Sequence, residues 1–570
     1  MSTAVATATT KRITLVACII GSGIAVLDGS VVNVALPTIQ RELGGGLAGQ
    51  QWVSNAYLLT LSSLILVGGS LGDLFGERRI FALGVAGFGA ASLLCALAPT
   101  IGLLVAFRAL EGVAGALLIP SSLAVIVATF PGGEGGSKSE RGAAIGTWTA
   151  FGAIAAALGP LGGGILLGIG SWRWIFLINL PLVVVCVTLI LAVIPRAAPR
   201  ERGHAIDLVG ALLCALGLGG PVFALIEQPR LGWGSPTVLA SLIGGVLLFG
   251  AFLLYEWRTG RVLEESLAAS STHGSRAARA SRRPPMLPLS LFARRNFAVG
   301  NVETFAMYAG LSVLFFFLAL FLQQVAGYSP LRSGLATLPV TLVMMLLSRR
   351  FGALADRYGP RLFMGCGPLV AGIGLLTLLR VTVRVDYLTE VLPGLLIFAL
   401  GLSLTVAPLT AAVLAGVEER QAGIASGVNN AVARVAGLLG IAALGAIVAV
   451  RFSTSLDAHL AGVRLTPAAQ QAVAEAKRVT LGHPSVVGLP PSQARAVTAA
   501  ADAASLDSFR AGIAIAGGLV LLGGLIGAAG IQNPRRAVCA EECAGGQLVG
   551  ASPDAAGLHE HAPAGEGALA

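Results

Sequence analysis

Fourteen apolar runs along the chain are each long enough to cross a lipid bilayer, and they limit the possible folds more than any other feature. The hydrocarbon core of a bilayer is about 30 Å thick, so a helix that rises about 1.5 Å per residue crosses it with about 20 residues. Charged residues make up only 12% of the 570 residues, about half the share found in soluble domains. The sequence therefore predicts an all-α polytopic membrane protein. The runs lie at residues 13–36, 52–71, 80–98, 101–128, 143–168, 174–194, 207–228, 237–256, 297–324, 333–350, 362–380, 390–416, 422–450 and 509–531.

The basic residues between these runs predict the orientation of the chain. The formal net charge is +10, and most arginines lie in the even-numbered loops, as Arg78, Arg283 and Arg350 do. Cytoplasmic loops carry an excess of Lys and Arg, so both termini are predicted to be cytoplasmic. The first run continues beyond the length of a signal peptide and is interpreted as the first span. No basic patch is interleaved with aromatic residues, so a nucleic-acid partner is not expected.

A short sequence occurs twice. GSLGDLFGERR (69–79) follows the second run, and GALADRYGPR (352–361) follows the tenth. These are equivalent places if the chain contains two sets of six spans, at 13–194 and 296–531. Parallel six-span halves are the architecture of one large transporter superfamily. Residues 195–256 are then two inserted spans.

The remaining segments lie outside the membrane. Residues 1–12 are predicted to be a cytoplasmic N-terminus, and 257–295 a basic, flexible cytoplasmic loop. Residues 451–508 separate the last two runs on the outer side, and their Ala-rich segments predict two short amphipathic helices. Residues 532–570 are rich in Gly, Ala and Pro and are predicted to be a disordered cytoplasmic tail.

The repeated Gly-x-x-x-Asp-x-x-Gly turn is interpreted as a conformational latch. Its glycines allow a tight turn. Its aspartate lies at a helix end, where it can accept hydrogen bonds from a neighbouring helix N-terminus or pair with an arginine. Such a contact can form in one transporter state and break in another, whereas the simpler interpretation is a polar loop cap. The latch residues are Gly69, Asp73, Gly76 and Arg78 in the first half and Gly352, Asp356, Arg357 and Gly359 in the second.

Asp28 in the first run and Arg108 in the fourth place opposite charges inside the membrane. Each lies seven or eight residues from the outer end of its run, hence about 10–12 Å deep. Ionisable residues in membrane spans are costly and usually mark a pathway. The matched depth predicts that the two side chains pair or share a water network. Proton coupling is the functional interpretation, and a permanent structural salt bridge is the alternative.

The fifth run contains a Gly-Pro step, FGAIAAALGPLGGG (151–164). Pro160 removes a backbone donor and kinks the helix, while Gly159 and Gly163 let another helix slide against it. The alternative is tight packing alone.

Glu303 lies about 10 Å inside the ninth run, seven residues past Asn296. A buried carboxyl can exchange a proton near neutral pH and can attract a cationic compound. The alternative is a snorkelling or hydrogen-bonded side chain near the helix end. Glu303 is therefore a third candidate for proton coupling, after Asp28 and Arg108. The candidates for a substrate cavity are Asn33, Glu111, Asn429 and Arg434.

Motifs for enzymatic chemistry are absent from the sequence. No Gly-x-x-x-x-Gly-Lys phosphate loop is present, which argues against direct use of ATP and against an enzyme. Cys539, Cys543, His559 and His561 are irregularly spaced in the tail and do not predict a metal site. No cofactor is expected.

Several motifs together resemble a known family. GSLGDLFGERR, RALEGVAGALLIP (108–120), GAIAAALGPLGGG and LDGSVVNVALP (27–37) are similar to the signature motifs of drug:proton antiporters. QWVSNAYLL (51–59) and GIASGVNNAVARVAGLLG (423–440) extend the match to residues 13 to 531. The chain is identified as a member of the fourteen-span EmrB/QacA-type group of the major facilitator superfamily.

The resemblance implies roles for single residues. Arg108 corresponds to an arginine linked to proton coupling, Asp28 to an acidic residue of the first span, and the Gly-Pro step to a motif associated with export. The first latch has Leu74 and Glu77 where the family often has basic residues, which leaves its ion pairs open. The first span also has Ser30 where Thr is usual.

The expected function is export of amphipathic, often cationic, small molecules across the plasma membrane, driven by the proton motive force. Drug or antibiotic resistance would follow from such efflux. Two alternatives are a secondary importer of a metabolite and a membrane sensor or partner subunit without transport. The Gly-Pro step argues against the first, and the repeated latch argues against the second.

Overall fold

Within the computed structural model, the described residues are 8–130, 138–195, 207–273, 285–414, 417, 422–482 and 484–533. These ranges contain sixteen α-helices. They are α1 (Ala8–Leu43), α2 (Gly46–Phe75), α3 (Glu77–Leu97), α4 (Ile101–Thr129), α5 (Lys138–Ile169), α6 (Trp174–Leu177), α7 (Asn179–Val193), α8 (Leu208–Leu231), α9 (Pro236–His273), α10 (Arg295–Gln324), α11 (Pro330–Tyr358), α12 (Pro360–Thr377), α13 (Leu392–Leu414), α14 (Ala422–His459), α15 (Pro467–Val479) and α16 (Pro491–Gly530).

The prediction of fourteen spans is confirmed. Among the described residues, fourteen helical segments are long and apolar enough to cross a membrane. Helices α6 and α7 together form the sixth of them, and α15 is not a span. The short run at 333–350 is part of α11, which continues at both ends of the run.

The spans form two bundles with an added helix pair. Helices α1 to α7 pack mainly on one another, and α10 to α14 pack with α16. The two bundles meet where α1 touches α10, α2 touches α14 and α5 touches α11. The inserted helices α8 and α9 pack together, and α8 also contacts α2 and α14, beside the junction of the bundles. Val222 and Ile226 of α8 share a small apolar cluster there with Leu438 and Ala442 of α14.

The first and last spans place both ends of the described chain at one face of the bundle, here called the terminal face. Gln324 near the end of α10 donates to Gln40 near the end of α1, at 3.1 Å. The ends of these two helices therefore lie together, and their starts lie together at the terminal face. The end of α16 lies there as well, because Arg295 at the start of α10 donates to the Gly530 carbonyl at 2.8 Å. The side away from the terminal face is called the opposite face.

The two bundles are joined at the opposite face. Besides the Gln324–Gln40 bond, the Gln323 side-chain amide donates to the Val34 carbonyl at 3.0 Å. Gly164 of α5 lies so close to Leu331 of α11 that a Cβ on this glycine would be 2.6 Å from the Leu331 Cα. The structure therefore has the opposite face closed between α1, α5, α10 and α11.

A helical cap covers part of the opposite face. The end of α14, α15 and the start of α16 share an apolar cluster that includes Phe452, Val473 and Val497. The first of the two expected amphipathic helices is α15. The second is continuous with the last span, because no helix-breaking residue separates the Ala-rich segment from the apolar run, and α16 therefore has 40 residues. The cap reaches the first bundle at Gly46, where a Cβ would clash with the Arg478 carbonyl oxygen.

Candidate functional site

Three buried ionisable side chains meet between α1 and α4. Arg108 Nη1 lies 2.5 Å from Asp28 Oδ2 and 2.7 Å from Glu111 Oε2. Arg108 Nε donates to the Val53 carbonyl of α2 at 3.1 Å. None of the three ionisable side chains is more than 1% exposed. The pairing predicted from matched depth is therefore present, and Glu111 joins it as a third member.

Local sequence explains why the cluster forms. Arg108 and Glu111 are three residues apart on α4 and therefore share a helix face. Gly112 follows them, and a Cβ at this position would clash with the Tyr57 carbonyl and the Thr60 hydroxyl of α2. The glycine lets α4 approach α2 closely enough for Arg108 to reach Val53.

Neighbouring groups hold the cluster in place. The Ser92 hydroxyl of α3 donates to Glu111 Oε1. The Arg108 guanidinium lies over the Tyr57 ring, 4.4 Å from its centroid, a cation–π contact that suits a desolvated arginine. Asp28 Oδ1 has no hydrogen-bond partner among the described residues. With both carboxyls ionised the cluster carries a net charge of −1, and one proton makes it neutral.

A cavity of about 330 Å³ lies between the two bundles. Arg108 lines its wall on the first bundle, and Arg434 of α14 lines the wall on the second. Phe315, Met344 and Met345 form an apolar part of the wall on α10 and α11. The cavity is thus the place where the buried ion cluster faces open space shared by both bundles.

The predicted cavity residues divide into two groups. Asn33 and Arg434 line the cavity, whereas Glu111 and Asn429 are not among its lining residues. Asn429 is buried within the second bundle, where its amide donates to Thr304 Oγ1 at 2.7 Å and to Asn301 Oδ1 at 3.1 Å. Glu111 belongs to the ion cluster, and its three-residue spacing from Arg108 was the signal that could have indicated this.

Glu303 is fully buried in the second bundle and does not line the cavity. Neither of its carboxyl oxygens has a hydrogen-bond partner among the residues described. The side chain packs against α16, where a Cβ on Gly527 would clash with Glu303 Oε2. Glu303 is buried and has no hydrogen-bond partner among the described residues, so it is neither a snorkelling nor a hydrogen-bonded side chain there. Because it does not line the cavity, it does not contact a compound bound in the cavity of this structure either.

The Gly-Pro step lies where α5 crosses both bundles. A Cβ on Gly159 would clash with Ser30 of α1, and one on Gly163 would lie 3.2 Å from the Val31 carbonyl. On the other side, Gly334 of α11 packs directly against the Pro160 carbonyl. Pro160 also lines the cavity. The motif therefore sits at the junction that closes the opposite face.

Both latch turns adopt the backbone conformation that requires glycine. Gly76 between α2 and α3 has φ +92°, and Gly359 between α11 and α12 has φ +84°, a region that other residues rarely adopt. Arg78 donates to the Leu191 carbonyl of α7 at 2.7 Å. Gly69 lies beside Pro120 of α4.

The rest of the latch is only partly described. Gly352 lies against Ala407 of α13, and the Arg357 guanidinium lies over the Tyr358 ring, 5.4 Å from its centroid. The side chains of Asp73 and Asp356 lie outside the part of the chain that the structure describes. Their ion pairs stay predictions.

Two bundles of six spans around a shared cavity are the architecture of a membrane carrier. The chain belongs to the Major Facilitator Superfamily, because the family profile matches residues 18–441. The fold class and the family predicted from the motifs are confirmed.

Relatives are similar over most of their length. The puromycin resistance protein of Streptomyces alboniger is 36% identical over 450 residues, which cover 78% of this chain and 82% of that protein. The multidrug resistance protein Stp of Mycobacterium tuberculosis is 32% identical over 466 residues, covering 82% and 81%. The tetracenomycin C resistance and export protein of Streptomyces glaucescens is 32% identical over 445 residues, covering 77% and 76%.

Among solved structures, a bacterial homologue of the lysosomal transporter Spinster, in an inward-facing and unoccupied conformation, superposes with a TM-score of 0.60. It is 15% identical, and the match covers 93% of this chain and 100% of that one. At this identity the likeness concerns the fold alone.

Proposed function

We propose that the protein is a proton-driven antiporter that exports amphipathic small molecules and so confers drug or antibiotic resistance. The observation that carries the proposal is the Asp28–Arg108–Glu111 cluster, which is buried in the first bundle and borders the cavity between the bundles. Relatives that share 32–36% identity are named resistance or export proteins, which supports export rather than import.

The cluster supplies a means of coupling. A proton on Asp28 or Glu111 removes the net charge of the cluster and weakens the hold of that carboxyl on Arg108. The freed guanidinium can then change its contacts. The balance between the inward-open and outward-open states of the carrier shifts as a result. Glu303 is a second proton site in this proposal. It acts from inside the second bundle, because it does not line the cavity.

The proposed location is the plasma membrane, with the terminal face in the cytoplasm, as the arginine-rich loops favour. In that orientation the opposite face is the outer side, and the structure has its outer side closed. The proton motive force drives the return to this state at about 2.3 kcal/mol per charge per 100 mV, plus the contribution of the pH difference.

Everted membrane vesicles test the proposal. Respiration acidifies their interior, which quenches acridine orange, and an exported compound that exchanges for protons restores the fluorescence. We expect puromycin or tetracenomycin C to restore it in vesicles with the wild-type protein and not with Asp28→Asn. If the compound accumulated in right-side-out vesicles only, in response to the proton gradient, the protein would instead be an importer. No response to any compound, with the protein present in the membrane, would indicate a protein without transport.

A further inference from the structure

Among the described residues that line the cavity, Arg434 is a cation that no carboxylate contacts. Arg434 lies twelve residues after the start of α14, hence about 18 Å along a span. Within the described part of the chain, no carboxylate pairs with Arg434 and no acceptor forms a hydrogen bond with it. Its Nε is buried without a partner. The other arginine among the described lining residues, Arg108, is already paired with Asp28 and Glu111. No aspartate or glutamate is among the described residues of the lining.

Two neutral donors of the same cavity also lack partners. The Tyr308 hydroxyl of α10 and the Ser333 hydroxyl of α11 are buried, and neither forms a hydrogen bond with a described residue. Ser333 is only 1% exposed. Buried polar groups without partners are costly, and they are rare unless a ligand or water satisfies them. The residues that carry these donors lie on three helices of the second bundle and line one space.

The chemistry of these groups selects their ligand. A guanidinium binds carboxylate or another oxyanion through two parallel hydrogen bonds, and a cation in its place would meet like charge. The facing wall of Phe315, Met344 and Met345 is apolar and suits a hydrocarbon or aromatic skeleton. The volume of about 330 Å³ falls at the small end of ligand sites.

We propose that the cavity binds an amphipathic organic anion. Its carboxylate, phenolate or sulfonate faces Arg434 and accepts hydrogen bonds from Tyr308 and Ser333, while its apolar skeleton lies against α10 and α11. This rests on the proposed export function and specifies its substrate class. It differs from the cationic substrate expected from the sequence, and Glu303, one carboxyl expected to attract a cation, does not line the cavity.

The test compares two probes with one skeleton. 1-Anilinonaphthalene-8-sulfonate is an anion, N-phenyl-1-naphthylamine is its neutral counterpart, and ethidium serves as a cation. Affinities are measured by equilibrium dialysis of the full-length protein in dodecyl maltoside, with empty micelles as the blank. We expect the anion to bind about tenfold or more tightly than the neutral probe, the gain of a hydrogen bond to a charged group. Ethidium should bind more weakly than both.

Variants assign the preference to the site. Arg434→Gln should abolish the preference for the anion, and Arg434→Lys should restore part of it, because lysine keeps the charge without the planar fork. Arg510→Gln is the matched control, since Arg510 is also in the second bundle but donates to the Val381 carbonyl outside the cavity. This control should keep the wild-type preference. If Arg434→Gln does not fold, Tyr308→Phe and Ser333→Ala carry the test, each lowering the affinity for the anion.

Tighter binding of ethidium than of the anion would overturn the proposal, and so would an unchanged anion preference in Arg434→Gln or in both hydroxyl variants. Dialysis needs no gradient, so its result is independent of export. A protein that prefers the anion but gives no fluorescence response in vesicles contradicts the proposed function alone. A protein that exchanges protons for puromycin but does not prefer the anion contradicts only this inference.

Discussion

Arg108 Nη1 lies 2.5 Å from Asp28 Oδ2, and both side chains are no more than 1% exposed. A buried ion pair of this kind is weak evidence for stability, since desolvation offsets much of the attraction. Removing one partner strongly destabilises the protein, because it leaves an uncompensated buried charge. This asymmetry allows structure and function of the pair to be tested separately.

Arg108→Gln should destabilise the protein by about 3–5 kcal/mol, because two carboxyls lose their buried counter-charge. Adding Asp28→Asn to this variant should recover part of the loss, since the two residues are in contact and their effects are not additive. Proton-coupled efflux should be absent in both. Thermal unfolding in detergent and vesicle assays measure the two effects. Recovery of efflux in the double variant would show that the pair is only structural.

Gly334→Ala should hinder closure of the opposite face, because the new methyl group meets the Pro160 carbonyl. Arg41 lies in the last turn of α1 and Leu388 in the segment that joins α12 to α13, so they belong to different bundles at the opposite face. Spin labels at these two positions report the closure as a distance distribution. We expect a larger population at long distance in Gly334→Ala. Gly162→Ala is the control, since a Cβ at Gly162 has no neighbour within 4 Å. Equal distributions in the two variants would remove the Gly-Pro junction from the account.

Glu303→Met should stabilise the protein and, at the same time, impair its proton-coupled efflux. Replacing a buried carboxyl that lacks partners removes a desolvation penalty of about 1–3 kcal/mol. If Glu303 carries a proton in the transport cycle, efflux driven by a pH gradient should fall in the same variant. Thermal unfolding and gradient-driven efflux measure the two effects. A loss of stability with normal efflux would mean that Glu303 has a packing role only.

Gly46→Ala should weaken the contact between the cap and the first bundle. Its methyl group would clash with the Arg478 carbonyl, whereas a Cβ at Gly44 has no neighbour within 4 Å. Both glycines have positive φ, so Gly44→Ala introduces similar backbone strain of about 1–2 kcal/mol without the clash. Proteolysis of the segment between α15 and α16 should be faster in Gly46→Ala than in Gly44→Ala. Equal rates would show that the cap does not depend on this contact.

Much of the fold could be predicted from the sequence because a bilayer imposes a length and a polarity on every span. The same regularity placed Asp28 and Arg108 at one depth in the membrane, so their pairing could be proposed, and the structure shows that α1 and α4 are in contact. The beginning of the last helix could not be predicted, since the Ala-rich start of α16 has the same helical propensity inside and outside the membrane.

The roles of individual polar residues depended on helix rotation, which apolar runs do not define. Asn33 and Arg434 face the cavity, whereas Asn429, only five residues before Arg434, faces the interior of its own bundle. Glu303 is buried away from the cavity because α16 covers it at Gly527. Packing partners distant in sequence decide these orientations, and a single sequence does not show which helices will be neighbours.

The most direct measurement of the central claim is gradient-driven flux and gradient-free exchange in the same proteoliposomes. Wild-type protein and Asp28→Asn are compared with 1-anilinonaphthalene-8-sulfonate, puromycin and tetracenomycin C. We predict that Asp28→Asn retains exchange of a transported compound without a gradient but no longer accumulates it in response to a pH difference. Accumulation by Asp28→Asn at the wild-type rate would contradict the assignment of proton coupling to the Asp28–Arg108–Glu111 cluster.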